Sequence, residues 1–194
     1  MRVIAGKYRS RTLRSLPGLD LRPTTDRLRE TLFDVLTAGN PSALEGTTWL
    51  DLFAGTGAVG IEALSRGAAQ VIFVESAARA ASLIRQNLGS LRVEPASFRI
   101  IQNDVEKTLR HISGDERADF IFLDPPYRMQ DAYLQTLTLL DAGAWVKPGG
   151  IVIAEHQKKF DPGERFGGLL RYRKLPQGDA VLSFYNLTTP TLSS

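Results

Sequence analysis

The stretch Asp51-Leu-Phe-Ala-Gly-Thr-Gly-Ala-Val-Gly60 decides the fold of this 194-residue chain. An apolar segment, Thr48–Phe53, runs into it and predicts a strand, and apolar residues at helical spacing predict a helix over Ala58–Arg66. Its three glycines therefore form a G-x-G-x-x-G pattern between a strand and a helix, which is the context that the pattern requires. Glycines at these positions permit a tight turn and a close approach of backbone to ligand at the carboxyl edge of a sheet.

From this stretch outward, apolar strands alternate with helices. The predicted strands are Thr48–Phe53, Gln70–Glu75, Phe98–Gln102, Asp119–Leu123 and Gly150–Glu155. The predicted helices between them are Ala58–Arg66, Ala77–Leu88, Val105–Ile112 and Gln130–Leu139. Leu169–Leu175 and Ala180–Leu187, separated by a short turn, predict a closing hairpin. Together these segments indicate a doubly wound, Rossmann-like α/β fold, whose mostly parallel, seven-stranded sheet ends in a C-terminal antiparallel hairpin.

Three acidic residues lie near the expected cofactor loop. Glu75 ends the second strand and is placed to accept hydrogen bonds from both hydroxyls of a ribose, while Asp51 immediately precedes the loop. Asp104 follows the third strand, where it either accepts from an adenine amine or caps a helix. No Gly-Lys-[Ser/Thr] follows the glycines, which argues against a nucleotide triphosphatase. A dinucleotide and S-adenosylmethionine remain as candidate cofactors, and the second has a cationic sulfonium and no phosphate.

The fourth strand ends in Asp124-Pro-Pro-Tyr127, and this tetrapeptide is hard to explain by packing. The prolines stiffen the turn and remove two backbone donors, so that carbonyl acceptors remain. The carboxylate of Asp124 and the carbonyl of Pro125 can accept from one amino group, and Tyr127 offers a face for stacking a planar base. Two acceptors on one exocyclic amine orient its nitrogen and stabilise the positive charge that develops when it attacks a methyl group.

The N-terminal region is different in character from the rest of the chain. Residues 1–24 alternate apolar and polar positions between glycines and prolines, which predicts short strands and turns. A helix is predicted next, with an oxygen cap at Thr25 or Asp26 and an end at Gly39-Asn40-Pro41. The predicted organisation is a basic N-terminal extension over residues 1–40, a main domain over 41–188 and a loose tail over 189–194.

Charge is unevenly distributed along the chain, whose net charge is +3. Residues 1–30 hold eight basic and three acidic residues, a net charge of +5, so the remainder sums to −2. The basic residues are Arg2, Lys7, Arg9, Arg11, Arg14, Arg22, Arg27 and Arg29. A basic segment on a nearly neutral body fits either a phosphate-backbone partner or a solvated surface strand, and charge alone does not decide between them.

Composition excludes several classes of protein. The chain has no cysteine, which excludes disulfides, iron–sulfur clusters and thiolate zinc sites. With only two histidines, a metal site built on histidine ligands is not expected. It contains no apolar run of the roughly 20 residues that a bilayer span needs, and Met1–Lys7 lacks the apolar stretch of a secretory signal. We therefore expect a single-domain cytoplasmic protein. Trp49 and Trp145 are expected in the core, and His156 is expected to be a satisfied or solvent-facing side chain rather than a catalytic one.

The glycine loop and Asp124–Tyr127 together resemble the S-adenosylmethionine-dependent amino methyltransferases. The resemblance extends to the bacterial 16S rRNA guanine-N2 methyltransferases of the RsmD type and covers residues 1 to about 156. Its carriers are Met1–Tyr8, Leu21–Phe33, Asp51–Gly67, Phe122–Tyr127 and Lys147–Gly150. It implies methyl transfer to the N2 amine of one guanine of 16S rRNA, at position 966, with S-adenosylmethionine as cofactor and the methyltransferase form of the fold.

The resemblance also implies roles for individual residues. The catalytic residues would be Asp124, Pro125, Pro126 and Tyr127. The cofactor-binding residues would be Asp51, Phe53, Ala54, Gly55, Thr56, Gly57, Glu75, Ser76, Asp104, Val105 and Thr24. The RNA-binding residues would be Lys7, Arg9, Arg11, Arg14, Arg22 and Arg27, and no metal is expected.

The expected partner is 16S rRNA, within a small ribosomal subunit or its assembly intermediate, and the protein is expected to act as a monomer without contacting a membrane. A nicotinamide-dependent oxidoreductase would share the glycine loop but would not need Asp124–Tyr127. The alternative function is amino methylation of another RNA, or of adenine or cytosine in DNA. A DNA methyltransferase usually carries a target-recognition domain for which 194 residues leave little room.

Overall fold

The computed structural model describes residues 1–15, 25–111 and 117–188. Two predicted site residues, Arg22 and Thr24, lie outside these ranges, as do the predicted tail over 189–194 and the predicted helix end at Ile112.

Within the described ranges the chain forms five α-helices and eight β-strands. In chain order they are α1 (Asp26–Thr37), β1 (Thr48–Leu52), α2 (Ala58–Ser65), β2 (Gln70–Val74), α3 (Ala78–Leu91), β3 (Phe98–Ile101), α4 (Val105–His111), β4 (Ala118–Leu123), α5 (Gln130–Ala142), β5 (Val146–Gln157), β6 (Arg165–Phe166), β7 (Leu169–Gln177) and β8 (Ala180–Leu187). Single turns of 3-10 helix cover Gly6–Tyr8 and Pro95–Ser97.

The strands form one sheet in the order β3-β2-β1-β4-β5-β8-β7-β6. Strands β1 to β5 are parallel, and β8, β7 and β6 add to β5 in antiparallel orientation. The chain builds outward from β1 to β3 and then returns to place β4 on the other side of β1. In open α/β sheets, ligands bind at the carboxyl ends of the strands where the strand order reverses. The fold therefore predicts a ligand site at the loops after β1 and β4.

Alternating side chains of the parallel strands form two cores on opposite faces of the sheet. We call residues 1–15 the N-terminal segment. In β1, Trp49 packs in the core that also contains residues of this segment and of α1, α2 and α3, whereas Leu50 packs in the core that contains residues of α4 and α5. Both side chains are buried, as expected for a sheet covered on two sides. Trp145 is buried in the second core, so both tryptophans are core residues as predicted.

The N-terminal segment packs directly on α2. The Glu62 carboxylate accepts hydrogen bonds from the backbone N–H groups of Ile4 and Ala5 at 2.8 and 3.0 Å. Gly6 has φ +76°, and a Cβ atom there would lie 1.8 Å from the carbonyl oxygen of Ser65. Only a glycine permits this approach, so the segment lies flat against the helix.

Two predictions about the fold are corrected by the structure. The sheet has eight strands in the described residues rather than seven, because Arg165–Phe166 adds a two-residue strand to the edge of β7. The short strands predicted in the N-terminal region are not found within residues 1–15, where the only β-bridge is an isolated one between Arg2 and Thr12. Backbone groups of this segment bond to one another across that bridge and to the side chain of Glu62 in α2.

Candidate active site

The turn after β1 has a backbone that few residues adopt. Gly55 and Gly57 have φ values of +54° and +75°, and Gly57 directly precedes α2. Phe53 also has a positive φ, +59°, which is uncommon for a residue with a side chain. Such conformations cluster at functional sites, where the surrounding structure compensates for the strain.

Two buried carboxylates hold this turn in place. Asp51 accepts from the N–H of Gly60 at 2.9 Å, and Glu75 accepts from the N–H of Gly55 at 2.8 Å and of Ala77 at 2.8 Å. In dinucleotide-binding folds, the backbone N–H groups of this loop and helix start face the pyrophosphate. Here two of them are bonded to the carboxyl groups of Glu75 and Asp51, and the negative charge of Glu75 would repel a phosphate. The residues therefore fit S-adenosylmethionine, which has no phosphate and carries a positive charge.

A cavity of about 520 Å³ opens beside this turn, and we call it the cofactor cavity. Its walls combine apolar and acidic residues from the ends of β1, β2, β3 and β4. The predicted residues that line it are Phe53, Glu75, Ser76, Asp104, Val105, Asp124, Pro126 and Tyr127. Ala77, Ala80, Arg128 and Met129 also line it and were not predicted. Asp104 in addition accepts from the N–H of Lys107 at 3.1 Å, so it both caps α4 and faces the cavity.

Thr24, another predicted cofactor residue, lies outside the described ranges. The remaining five, Asp51, Ala54, Gly55, Thr56 and Gly57, lie in or directly before the turn and do not line the cavity. Their backbone shapes the turn, and Asp51 and Gly55 take part in the hydrogen bonds that hold it.

Asn87 is a buried residue that sequence reasoning missed. Its side-chain amide donates to the carbonyl oxygens of Thr56 and Arg14 at 3.1 and 3.2 Å, and its oxygen accepts from the N–H of Arg14 at 2.8 Å. Asn87 therefore ties the cofactor turn to the N-terminal segment.

The tetrapeptide Asp124–Tyr127 leaves β4 beside β1 and reaches the cofactor cavity. Asp124, Pro126 and Tyr127 line the cavity, while Pro125 is buried beneath them. The carbonyl oxygen of Pro126 accepts from the N–H of Met129 at 2.7 Å, which closes a tight turn ahead of α5.

Burial raises the pKa of two carboxyl groups near the end of β1. The pKa of Asp51 is raised to about 8, chiefly because the group is removed from water, and the charge of Glu75 adds to the effect. The pKa of Asp124 is raised well above its ordinary value, first by burial and then by the negative charges of Glu155 and Asp51. Raised carboxyl pKa values beside a cavity are typical of functional sites, and a bound cation would favour their charged forms.

A second cavity, of about 370 Å³, is also lined by Tyr127. We call it the base cavity, after the planar base that the sequence predicts to stack on Tyr127. Tyr127 is the one described residue that lines both cavities. The start of α1 contributes Thr25, Arg27 and Leu28, the end of β5 contributes Glu155, and the hairpin turn contributes residues 176–180.

Glu155 and the hairpin turn were not predicted as site residues. Glu155 lies near the end of β5, level with Asp124 in the neighbouring parallel strand, and this position was the available signal. The hairpin turn offered no such signal, because only the antiparallel pairing of β8 with β5 brings it to the site.

The predicted RNA-binding residues within the described ranges are all exposed. Arg27 lines the base cavity. Lys7, Arg9, Arg11 and Arg14 all lie in the N-terminal segment. Arg11 donates to the carbonyl oxygen of Ser90 at 2.9 Å and Arg14 donates to Gln86 Oε1 at 3.2 Å, both in α3. These two arginines therefore have fewer donors left for an RNA phosphate.

His156 is buried and has partners on both ring nitrogens. Nε2 lies 2.9 Å from Ser183 Oγ, and Nδ1 lies 3.0 Å from the carbonyl oxygen of Gln157. Burial lowers its pKa. The interpretation of His156 as a satisfied histidine agrees with these contacts.

The described residues contain no group of three or more histidine, cysteine, aspartate or glutamate side chains suited to hold a metal ion. None of their helices is long and apolar enough to cross a membrane.

The chain is similar to methyltransferases in both sequence and structure. The family model described as conserved hypothetical protein 95 matches residues 1–186. The chain is 36% identical to the provisionally assigned rRNA methyltransferase YlbH of Bacillus subtilis, over 95% of this chain and 98% of that one. It is 35% identical to the ribosomal RNA small subunit methyltransferase D of Haemophilus influenzae, over 81% and 79% of the two chains. Its structure matches the provisionally assigned methyltransferase yhhF of Escherichia coli with a TM-score of 0.82 and 26% identity, over 97% and 98% of the two chains. The doubly wound sheet and this match identify a Rossmann-like methyltransferase fold.

Proposed function

Because the chain belongs to the conserved hypothetical protein 95 family, the RsmD type, we propose that it methylates the exocyclic N2 amine of one guanine in 16S rRNA. S-adenosylmethionine is the cofactor. The observation that carries the proposal is the meeting of two cavities at Tyr127, with Asp124 on the cofactor side and Glu155 on the base side. An enzyme that transfers a group between two bound molecules needs such a junction.

The cofactor side is formed by residues with suitable chemistry. Glu75 is placed for ribose hydroxyls and Asp104 for an adenine amine, while Phe53 and Val105 offer apolar surface to the purine. When bound, S-adenosylmethionine supplies an electrophilic methyl group on a cationic sulfur. The carboxylate of Asp124 lies at the same cavity and favours a positive charge there.

The base side explains why the tetrapeptide has this composition. The amine of a nucleobase is a weak nucleophile because its lone pair is delocalised into the ring. Hydrogen bonds from the amine to Asp124 and to the carbonyl of Pro125 orient the nitrogen, and Tyr127 provides a face for stacking the base. The amine becomes acidic only as the new C–N bond forms, and the carboxylate of Asp124 is placed to accept the proton that it then loses.

The target guanine must leave any base pair before it enters the base cavity, because its amine is otherwise out of reach. We propose that Arg27 and the basic N-terminal residues hold the flanking phosphates. The names of the relatives point to rRNA of the small subunit. The substrate is then a small subunit or its assembly intermediate, and the protein acts as a monomer in the cytoplasm, where that substrate is found.

Transfer of tritium from labelled S-adenosylmethionine tests the reaction. The acceptors are small subunits from a strain that lacks this enzyme and, in parallel, naked 16S rRNA. After digestion we expect the label in N2-methylguanosine, from one acceptor or both. Label in a different nucleoside, or label only in other RNA or in DNA, would overturn the proposal.

Asp124→Ala tests the site. We expect the rate of methyl transfer at saturating cofactor to fall by about 100-fold or more, because an amine acceptor and the nearby negative charge are both lost. Cofactor binding, measured by calorimetry, should persist. Asp131→Ala, at an exposed position in the first turn of α5, is the matched control and should retain the wild-type rate. Wild-type turnover by Asp124→Ala would remove Asp124 from the mechanism.

A further inference from the structure

Glu155 has a position that the mechanism above does not explain. Strands β4 and β5 are parallel neighbours with Leu123 opposite Ala154, so Asp124 and Glu155 follow at equivalent positions of adjacent strands. Glu155 is 3% exposed, yet it lines the base cavity. Burying a charged carboxylate costs free energy, so we expect Glu155 to have a function that offsets this cost.

The backbone around Glu155 is held firmly. Its carbonyl oxygen accepts from the hydroxyl of the fully buried Tyr133 at 2.7 Å, and the residue pairs with Leu182 of β8. This environment restricts the direction from which the carboxylate can meet a ligand. A carboxylate has two oxygens with about four acceptor positions, so it can accept from a ligand while keeping a partner within the protein.

Guanine differs from adenine and cytosine in the ring nitrogens beside the amine. Its amine lies between N1–H, a hydrogen-bond donor, and N3, an acceptor. In adenine and cytosine the single ring nitrogen beside the amine is unprotonated and is an acceptor. An acceptor that faces the N1 side of the amine therefore attracts guanine and meets a lone pair at the ring nitrogen of the other two bases.

We propose that Glu155 accepts the N1–H of the target base and thereby selects guanine over adenine and cytosine. Asp124 holds the amine in the cofactor cavity, and Glu155, one strand away, reads the adjacent ring nitrogen from the base cavity. This inference rests on the proposed function, because it presupposes an amino base as substrate. Glu155 is thus a specificity-determining residue and not a catalytic one, since the reacting nitrogen is held by Asp124.

Replacing the target guanosine by 2-aminopurine provides the test. This base keeps the amine at C2, but its N1 is an acceptor with no hydrogen. The substrate RNA is made in both forms, and kcat/KM for methylation is measured for wild type and for Glu155→Gln. A glutamine can turn its amide to accept from N1–H or to donate to an unprotonated N1.

We expect wild type to prefer guanine by about 100-fold or more, and Glu155→Gln to reduce this preference at least about tenfold. Because 2-aminopurine also lacks the O6 atom, the readout is the change in preference between the two proteins. Glu94→Gln, at an exposed position outside both cavities, is the matched control and should keep the full preference.

The outcomes separate this inference from the proposed function. If wild type forms no N2-methylguanosine, the proposed function fails and the inference fails with it. If wild type methylates guanine and Glu155→Gln keeps the wild-type preference, the role of Glu155 is overturned while the function stands.

A binding measurement covers the case in which Glu155→Gln is inactive on both substrates. RNA with inosine at the target keeps N1–H, and RNA with purine riboside does not, and neither carries the amine. Wild type with S-adenosylhomocysteine should bind the inosine form more tightly, and Glu155→Gln should lose that difference. An unchanged difference would overturn the inference. Thermal unfolding and the cofactor Kd establish that the variant is folded.

Discussion

Asp51 and Glu75 show how single residues at this site serve structure and ligand together. Asp51 is 2% exposed and bonds the N–H of Gly60, while Glu75 bonds two backbone N–H groups and still lines the cofactor cavity. A buried carboxylate is costly when it is ionised. This cost is compensated when a cationic ligand is bound nearby, because the ligand favours the ionised form.

The cost of burying the Asp51 carboxylate predicts how the free energy of unfolding depends on pH. The pKa of this carboxyl is about 8 in the folded protein, against an ordinary value of 3.8. Between these values the folded state binds more protons than the unfolded state, so stability falls as pH rises from about 4 to about 8. We expect Asp51→Asn to raise the free energy of unfolding at pH 8 by on the order of 1 kcal/mol or more, and to have little effect at pH 4.

Urea unfolding at pH 4, 6 and 8 measures this difference. Asp34→Asn, on the exposed side of α1, is the control and should change stability by less than about 0.5 kcal/mol at each pH. Asp51→Asn should also weaken binding of S-adenosylmethionine, because the compensating charge is gone. A variant that is less stable than wild type at pH 8 would contradict the cost assigned to this carboxylate.

At the residue scale, the sequence predicts the acidic and tetrapeptide residues of the site better than it predicts their contacts. The ends of parallel strands meet at one edge, so Glu75, Asp104 and Asp124 could be placed together from strand order alone. The bonds from Glu75 to Gly55 and Ala77 depend on backbone geometry that the pattern does not contain. Asn87 was missed because its partners are distant in sequence and belong to two different segments.

Among the elements, α2 depends on a glycine for its position against the sheet. A Cβ atom at Gly60 would lie 2.4 Å from Cε1 of Phe73 and 2.8 Å from Cγ1 of Val71, both in β2. The third glycine of the pattern thus allows the helix to approach the neighbouring strand closely. That approach brings the start of α2 to the cofactor turn.

Gly60→Ala should therefore destabilise the fold by about 1–3 kcal/mol, since α2 must move or Phe73 must leave its rotamer. Gly89→Ala, in the last turns of α3, is a matched control, because a Cβ there meets nothing within 4 Å. The free energy of unfolding of that variant should rise by about 0.5 kcal/mol, because alanine reduces the conformational freedom of the unfolded chain. Chemical unfolding of both variants, and of Gly60→Ala combined with Phe73→Leu, checks the assignment. Equal effects of the two glycine substitutions would contradict it.

The elements themselves follow closely from sequence, with identifiable exceptions. The five parallel strands and the four helices between them occur where apolar periodicity predicts them. Strand β6 was missed because two residues carry no periodicity. Strand β5 begins at Val146, before the predicted Gly150, because a β-pairing to Ala118 extends it through a proline and two glycines that resemble a turn.

For the molecule as a whole, the N-terminal segment packs on the helices beside the site and carries the exposed basic residues. Glu62 and Asn87 anchor it on α2 and α3, on the same face of the sheet as α1. Its exposed cations then lie on one side of the protein. The face covered by α4 and α5 carries Arg110, which is paired with Glu106.

Replacing Lys7, Arg9, Arg11 and Arg14 by alanine should weaken RNA binding and flatten its salt dependence. The slope of log K against log salt should fall by about 0.7 for each phosphate contact that is lost. Arg9 should contribute more than Arg11 or Arg14, whose guanidinium groups already bond to α3. Arg110→Ala with Arg117→Ala, outside this segment, should leave the slope unchanged. An unchanged slope in the fourfold variant would make the segment purely structural.

In the proposed enzyme, the cofactor and base cavities meet at Tyr127 and bring a methyl donor and a guanine amine together. A crystal structure with S-adenosylhomocysteine and a short RNA that contains the target guanosine is the decisive measurement. We expect the adenosine beside Glu75, the base against Tyr127, and N2 within about 2.7–3.2 Å of the Asp124 carboxylate. A guanine bound elsewhere, with the base cavity closed by the hairpin turn, would show that the two cavities do not serve this reaction.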